Sequence, residues 1–451
     1  MAGDSVAMSA AVRAMVEPCG DETVAGLARA VRAMRGARAA ELAAALDAEV
    51  ADRALRDQVL VAVAPLFRPR ADEVEAPHYP AVVLRRLWKG ITAIEPGLAE
   101  RWDPDEEGPA DRLVVRCCAL AAARLREDPA SVWPSATAGE ADDLAVTFDL
   151  APLVRRALPG LQTWVGRPDA DQTVELRLLV KDAAGLAPDG AQRVMEMLFA
   201  QMADASLILR ILVLSTGLAA KEEFLQGSEL AGLVERLIEA VTRRAERLEA
   251  FSESMGAGAA QTAAADVAWC ADMLEELAIT LALSPGSPWG KQVNWLRGRV
   301  SKRVTAWLGL VDKRVSLALP TARSLIVGRM SRAAPDLTAP AEGDAIETAR
   351  ALLTLVGGMR QTAGQFGHEG QRRQVVEDLT LRLTTYADEV LEAIAAGEAD
   401  LDHGLALIET AAAFLALIDE RGPARTVRRR AAALRGERDA ALALAREDAI
   451  G

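Results

Sequence analysis

The chain has 451 residues, 51% of them apolar and 26% charged, with a formal charge of −13. That balance excludes a disordered chain, which could not bury a core, and argues against a protein that binds polyanions over its whole surface. Aromatic residues supply only 4%, and alanine dominates the apolar set, so helices with closely approaching backbones are expected. The length admits two to four domains or one extended helical array.

Of 52 basic residues, 46 are Arg and 6 are Lys, which together with abundant Ala, Gly and Pro suggests a GC-rich bacterial genome. The opening "MAGDSVAMSAAVRAMVEPCG" has an early Asp4, no basic start and no continuous apolar stretch, so it does not read as a secretory leader. The first clear amphipathic element is 21–34 "DETVAGLARAVRAM", with Asp21 expected as its cap. Pro- and acid-rich breaks at 64–80 and 94–110 precede a second helix over 109–126, "PADRLVVRCCALAAARLR". Cys117 and Cys118 lie in that apolar run, where buried thiols are inert. With Cys19 and Cys270 they form no Cys-x-x-Cys pair, and a reducing cytoplasm is the expected setting.

After a break at 128–140, "EADDLAVTFD" sets Asp142 beside Asp143. A paired-aspartate magnesium motif of helical isoprenoid enzymes would need another acid where Val146 stands, so these acids read as solvated loop residues. "LAVTF" (144–148) is the one run left open as a strand, and with β-branched alternation so scarce a sheet-based fold is not expected. Helical periodicity resumes over 190–219. The segment "ASLILRILVLSTGLAA" (205–220) is too short to span a bilayer and carries Arg210 at its centre, at an insertion cost of about 2.5–3.5 kcal/mol, so a buried helix is the better reading. The stretch 206–241 resembles one armadillo- or HEAT-like helix pair. Breaks along the chain have no fixed period, so this likeness is one of layout. Another helix covers 229–250, opened by Ser228.

The turn "SPGSPWG" (284–290) divides the chain by charge: residues 289–451 carry a net +2 and residues 1–288 a net −15. Three regions are expected: an acidic helical part over 1–135, a central helical part over 136–285, and a C-terminal helical part with basic patches over 286–451.

Residues 289–315, "WGKQVNWLRGRVSKRVTAWLGLVDKRV", hold seven cations, one carboxylate and three tryptophans. At about 100° per residue, Trp289, Val293, Leu296, Val300, Val304, Trp307, Val311 and Val315 share one face. Burying each is worth about 1.5–3 kcal/mol, against about 1 kcal/mol for a cation near an anionic membrane, so this face is expected to pack inward. Trp295 lies off that face in the row Lys291–Trp295–Arg299–Lys302. There a tryptophan can pack under Arg and Lys stems, anchor a partner protein, or meet an anionic surface.

"GGMRQTAGQFGHEG" (357–370) lacks the Gly-Lys-Ser/Thr ending and a preceding strand, so a break between helices is expected instead of a phosphate loop. A further helix follows over 370–396. The segment 421–448 carries Arg421, Arg425, Arg428, Arg429, Arg430, Arg435 and Arg438 on an alanine-rich helix. These could grip phosphates, or pair with acidic neighbours on a solvated terminal helix. His78, His368 and His403 show no metal-ligand spacing; the first two read as loop residues and the third as part of a helix start.

The sequence thus predicts an all-α chain, a multi-helix array or stacked helical bundles, armadillo/HEAT-like in part, with little or no β structure. The expected function is that of a non-enzymatic adaptor or scaffold in a bacterial cytoplasm, binding other proteins through Lys291, Trp295, Arg299 and Lys302, then Arg428, Arg429 and Arg430, with no cofactor. Two alternatives stay open: a peripheral binder of anionic membrane or nucleic acid through the basic C-terminal region, and a helical enzyme whose site carries no recognisable motif.

Overall fold

The computed structural model describes residues 11–448 except 13, 217–221 and 328–329, and for 107, 323–332 and 438–448 it describes the backbone alone. The first ten residues of the stretch read for a secretory leader lie outside them. Helices dominate. The longer ones are α1 (Asp21–Arg32), α2 (Ala37–Val59), α3 (Ala81–Ile94), α4 (Glu107–Glu127), α5 (Ala138–Ala157), α6 (Ala170–Leu186), α7 (Gly190–Ala200), α8 (Ile208–Thr216) and α9 (Ala231–Ala250). After them come α10 (Gly256–Thr280), α11 (Pro288–Ala318), α12 (Asp344–Gly358), α13 (Glu369–Ala396), α14 (Leu401–Leu417) and α15 (Arg421–Asp448). Between α11 and α12, β1 (Thr321–Val327) and β2 (Met330–Pro335) pair antiparallel, Thr321 opposite Pro335 and Val327 opposite Met330. Among the described residues the fold is all-α apart from this small hairpin.

The chain forms two compact units, Met1–Leu237 with Thr280–Ala282, and Ile238–Ile279 with Leu283–Gly451. In the first, consecutive helices pack as pairs, α1 on α2, α4 on α5 and α6 on α7. Val24 and Ala28 of α1 meet Leu46 of α2 over Val12 and Val16. Asp21 does not cap α1. The N-cap position is Gly20, and Asp21, in the first turn, instead accepts from Arg53 and Arg56 of α2 at 3.0 and 2.8 Å.

The run "LAVTF" is helical, inside α5. A reciprocal cap fixes that helix: Glu140 N–H donates to Thr137 Oγ1 at 3.2 Å, and Thr137 N–H donates to Glu140 Oε2 at 2.8 Å. Leu144, Ala145, Thr147 and Phe148 are then buried. Asp142 and Asp143 are accordingly on a helix, not in a loop. Asp142 pairs with Arg126 at 3.2 Å and Asp143 with Arg193 at 2.6 Å. In α8 the guanidinium of Arg210 donates to the Val165 carbonyl at 2.8 Å, which satisfies it within the protein. Among the described residues no helix is long and apolar enough to cross a membrane. The stretch 206–241 comprises α8, the short helix Glu222–Gln226 and the first half of α9.

In the second unit, α11 packs on α12 and α13, and α13, α14 and α15 pack on one another. Ser287 caps α11 by accepting from Gly290 N–H at 3.2 Å, with Pro288 in the first turn. All eight residues of the predicted stripe are buried, from Trp289 to Val315. Trp307 meets Phe251 edge-on with ring centroids 5.7 Å apart. Gly357, at the end of α12, lies against the end of α14: a Cβ there would collide with the Leu417 carbonyl oxygen, so only glycine allows this approach. The glycine-rich 357–370 is the predicted break, bridging α12 and α13.

The hairpin over 321–335 had no counterpart in the sequence reading. Its apolar run is only Leu325, Ile326 and Val327, too short to show alternation against the helical background.

Candidate functional site

The α11 row emerges on the second unit's surface. Trp295 is 57% exposed, and Lys291 and Lys302 are exposed on either side of it. Arg299 behaves differently. Its Nε and Nη2 donate to Glu249 Oε1 and Oε2 of α9 at 2.8 and 2.6 Å, a two-pronged ion pair. From that position its guanidinium carbon sits 4.6 Å from the centroid of the Trp295 ring. The hydrogen bonds from Arg299 hold the Glu249 carboxyl below the usual carboxylate range. Trp295 is therefore not packed beneath its neighbours; it stands at the surface with one face braced.

Arginine and lysine divide the work along α11. Arg297 donates to the Leu274 and Gln365 carbonyls at 3.3 and 3.4 Å, Arg303 to the Phe251 carbonyl at 3.3 Å, and Arg314 pairs with Glu253. Arginine's planar fork suits such fixed contacts. Lys291, Lys302 and Lys313 are exposed and have no hydrogen-bond or ion-pair partner among the described residues. Asp312, the stretch's single carboxylate, accepts from Arg382 of α13 at 2.7 Å. The free positive charge of this face is thus lysine charge, and two of the three lysines flank Trp295.

On α15, Arg428 donates to Glu409 of α14 at 3.0 and 2.6 Å, Arg430 pairs with Asp388 of α13, and Arg435 pairs with Asp402 at 3.2 Å. Arg421 pairs with Asp419 at 3.1 Å, and Arg425 donates to the Arg421 carbonyl at 3.2 Å. Arg429 is exposed and has no partner among the described residues; the Arg438 side chain lies outside them. Three of the seven arginines, Arg428, Arg430 and Arg435, thus tie α15 to α13 and α14. The structure does not bring Arg428, Arg429 and Arg430 together with the α11 row as a single described site.

Sequence reasoning could not find Glu249, which sits 50 residues before Arg299 and decides where that guanidinium goes. The histidines and cysteines are placed as follows. His368, just ahead of α13, shares its Nε2 with Ser301 Oγ at 2.7 Å and Thr305 Oγ1 at 3.2 Å. His403 is in the first turn of α14, where its backbone N–H donates to Asp400 Oδ1 at 2.9 Å, and His78 is an exposed loop residue. Burial pushes the Cys117 thiol up to about 11 and the Cys270 thiol up to about 12, and raises Cys118 as well. Thiols so placed are protonated and poor nucleophiles at neutral pH.

Comparison with protein families, with curated proteins and with solved structures returns no match for this chain.

Proposed function

We propose that this chain is a non-enzymatic helical adaptor of a bacterial cytoplasm that docks another protein on the exposed row of α11. The observation that carries the reading is Trp295, more than half exposed, with its ring stacked by an arginine that Glu249 locks in place. Tryptophan and arginine at the centre of a contact supply most of the energy in many protein interfaces. An anchor already held in one geometry binds more tightly, because less side-chain freedom is lost on docking. Lys291 and Lys302 on either side favour a partner with an apolar pocket rimmed by carboxylates, since charge complementarity guides encounter and register. Replacing Trp295 with alanine should remove the partner from an affinity capture in the native host while leaving the fold intact.

A second reading has its own observation. Lys291, Lys302, Lys313 and Arg429 are exposed cations of the second unit that form no ion pair among the described residues. Such charges could draw the chain to an anionic membrane or nucleic acid. Binding of that kind falls steeply with salt. Co-sedimentation with anionic vesicles or with nucleic acid that is the same at 50 mM and 500 mM salt would rule it out.

A further inference from the structure

The first unit contains a cleft of about 800 Å³, within the range of small-molecule sites. Two helices supply its walls through matching faces. Glu49, Asp52, Arg53 and Arg56 project from α2, and Arg85, Trp88, Lys89 and Thr92 from α3, each set at spacings of three, one and three. Trp88 Nε1 donates to Asp52 Oδ2 at 3.0 Å and clamps the two walls together.

Three guanidinium groups line this cleft, and two of them are held in ion pairs. Arg53 donates to Glu49 at 2.8 Å, to Asp21 at 3.0 Å, and to the Cys19 and Val16 carbonyls, both at 2.9 Å. Arg56 donates to Asp57 at 2.9 Å and to Asp21 at 2.8 Å. Arg85 makes no hydrogen bond or ion pair among the described residues, and its Nε is sealed from solvent without a partner. Burial, and then the positive charge of Arg53, lowers its hold on a proton. Glu17, on the cleft wall, attracts Arg85 without bonding to it. A sealed guanidinium nitrogen without an acceptor is costly, because the interior supplies nothing to replace its lost water.

The geometry points to a binding site for a small organic carboxylate, with its oxygens on Arg85 and its hydrocarbon body along Leu55, Trp88, Ala93 and Leu98. A carboxylate accepts from the Nη groups of Arg85, which are not sealed from solvent as its Nε is and have no partner among the described residues. Carboxylate is favoured over phosphate because Glu17, Glu95 and Glu100 line the same cleft and would repel a dianion more strongly. The lining mixes apolar residues with the cations Arg85 and Lys89, which suits an amphipathic acid. This site is independent of the α11 surface.

The test is thermal denaturation of the full chain with hexanoate, inorganic phosphate or chloride as the sodium salt at matched ionic strength. The unmodified protein, Arg85→Met and Arg85→Lys are compared, and affinities come from the concentration dependence of the melting temperature. Hexanoate should stabilise the unmodified protein saturably and beyond chloride. Arg85→Met should weaken that response at least tenfold and melt no lower than the unmodified protein without ligand, because it removes a partly buried cation whose Nε has no acceptor. Arg85→Lys, which keeps the charge in a compact fold, should fall between them and serves if the methionine variant misfolds. A hexanoate response equal to that of chloride, or unchanged in both variants, would overturn the site. Saturable stabilisation by phosphate but not hexanoate, lost with Arg85, would overturn the carboxylate assignment.

Discussion

Arg299 lies 4.6 Å over the ring of Trp295, and it is held there by Glu249 on another helix. An exposed indole with one face covered by a fixed guanidinium differs in kind from the buried tryptophans of the same helix. The consequences for stability and for binding separate accordingly.

Trp307 is 1% exposed and edge-on to Phe251. Trp307→Ala should destabilise the second unit by about 3–5 kcal/mol. Trp295→Ala should cost less than about 1 kcal/mol, as exposed substitutions do. Chemical denaturation of the two variants checks this, and equal losses would contradict the assignment of inward and outward faces.

Gly357→Ala should destabilise the second unit by about 1–3 kcal/mol, because the added methyl meets the Leu417 carbonyl oxygen and backbone cannot step aside cheaply. Gly370→Ala, where a Cβ meets open space, is the control and should be near neutral. Denaturation midpoints for the pair give the answer.

Burial works against ionisation of Asp21, but the guanidiniums of Arg56 and Arg53 prevail and hold its carboxyl below the ordinary value. A lowered folded-state value means that this carboxylate stabilises the first unit above its unfolded value and ceases to do so as pH falls through the folded one. Asp21→Asn should therefore lower stability at pH 7 and narrow the gap from the unmodified protein as pH is taken down towards 2. Melting temperatures across that range, with a gap that widens on acidification, would show the opposite sign.

Thiol labelling at pH 8 should modify Cys19 first. Cys19 is half-buried, whereas Cys117, Cys118 and Cys270 are buried and held protonated. Mass spectrometry of the native protein after a brief exposure to iodoacetamide reads the order directly.

The inward face of α11 was legible because eight large apolar residues repeat at helical spacing over 27 residues, a signal that tertiary contacts rarely override. The offset of Trp295 from that stripe left open whether it packs under Arg and Lys stems or stands at the surface, and the structure has it 57% exposed. What the sequence hid is long-range pairing. Arg428 and Arg430 read as a basic cluster in the linear chain, yet each meets a carboxylate on another helix, 19 and 42 residues away. Asp142 and Asp143 look like loop acids until the Thr137–Glu140 cap shows that α5 begins ahead of them. The hairpin was hidden for a different reason: backbone pairing of Ser, Arg and Ala residues leaves little hydrophobic pattern to read.

The central claim is that Trp295 anchors a partner protein. Its most direct measurement is quantitative affinity capture from the native host with the unmodified chain and with Trp295→Ala, after matched melting curves have confirmed that both are folded. The account predicts at least one co-captured protein whose yield falls tenfold or more in the variant. Identical capture by the two chains would contradict it.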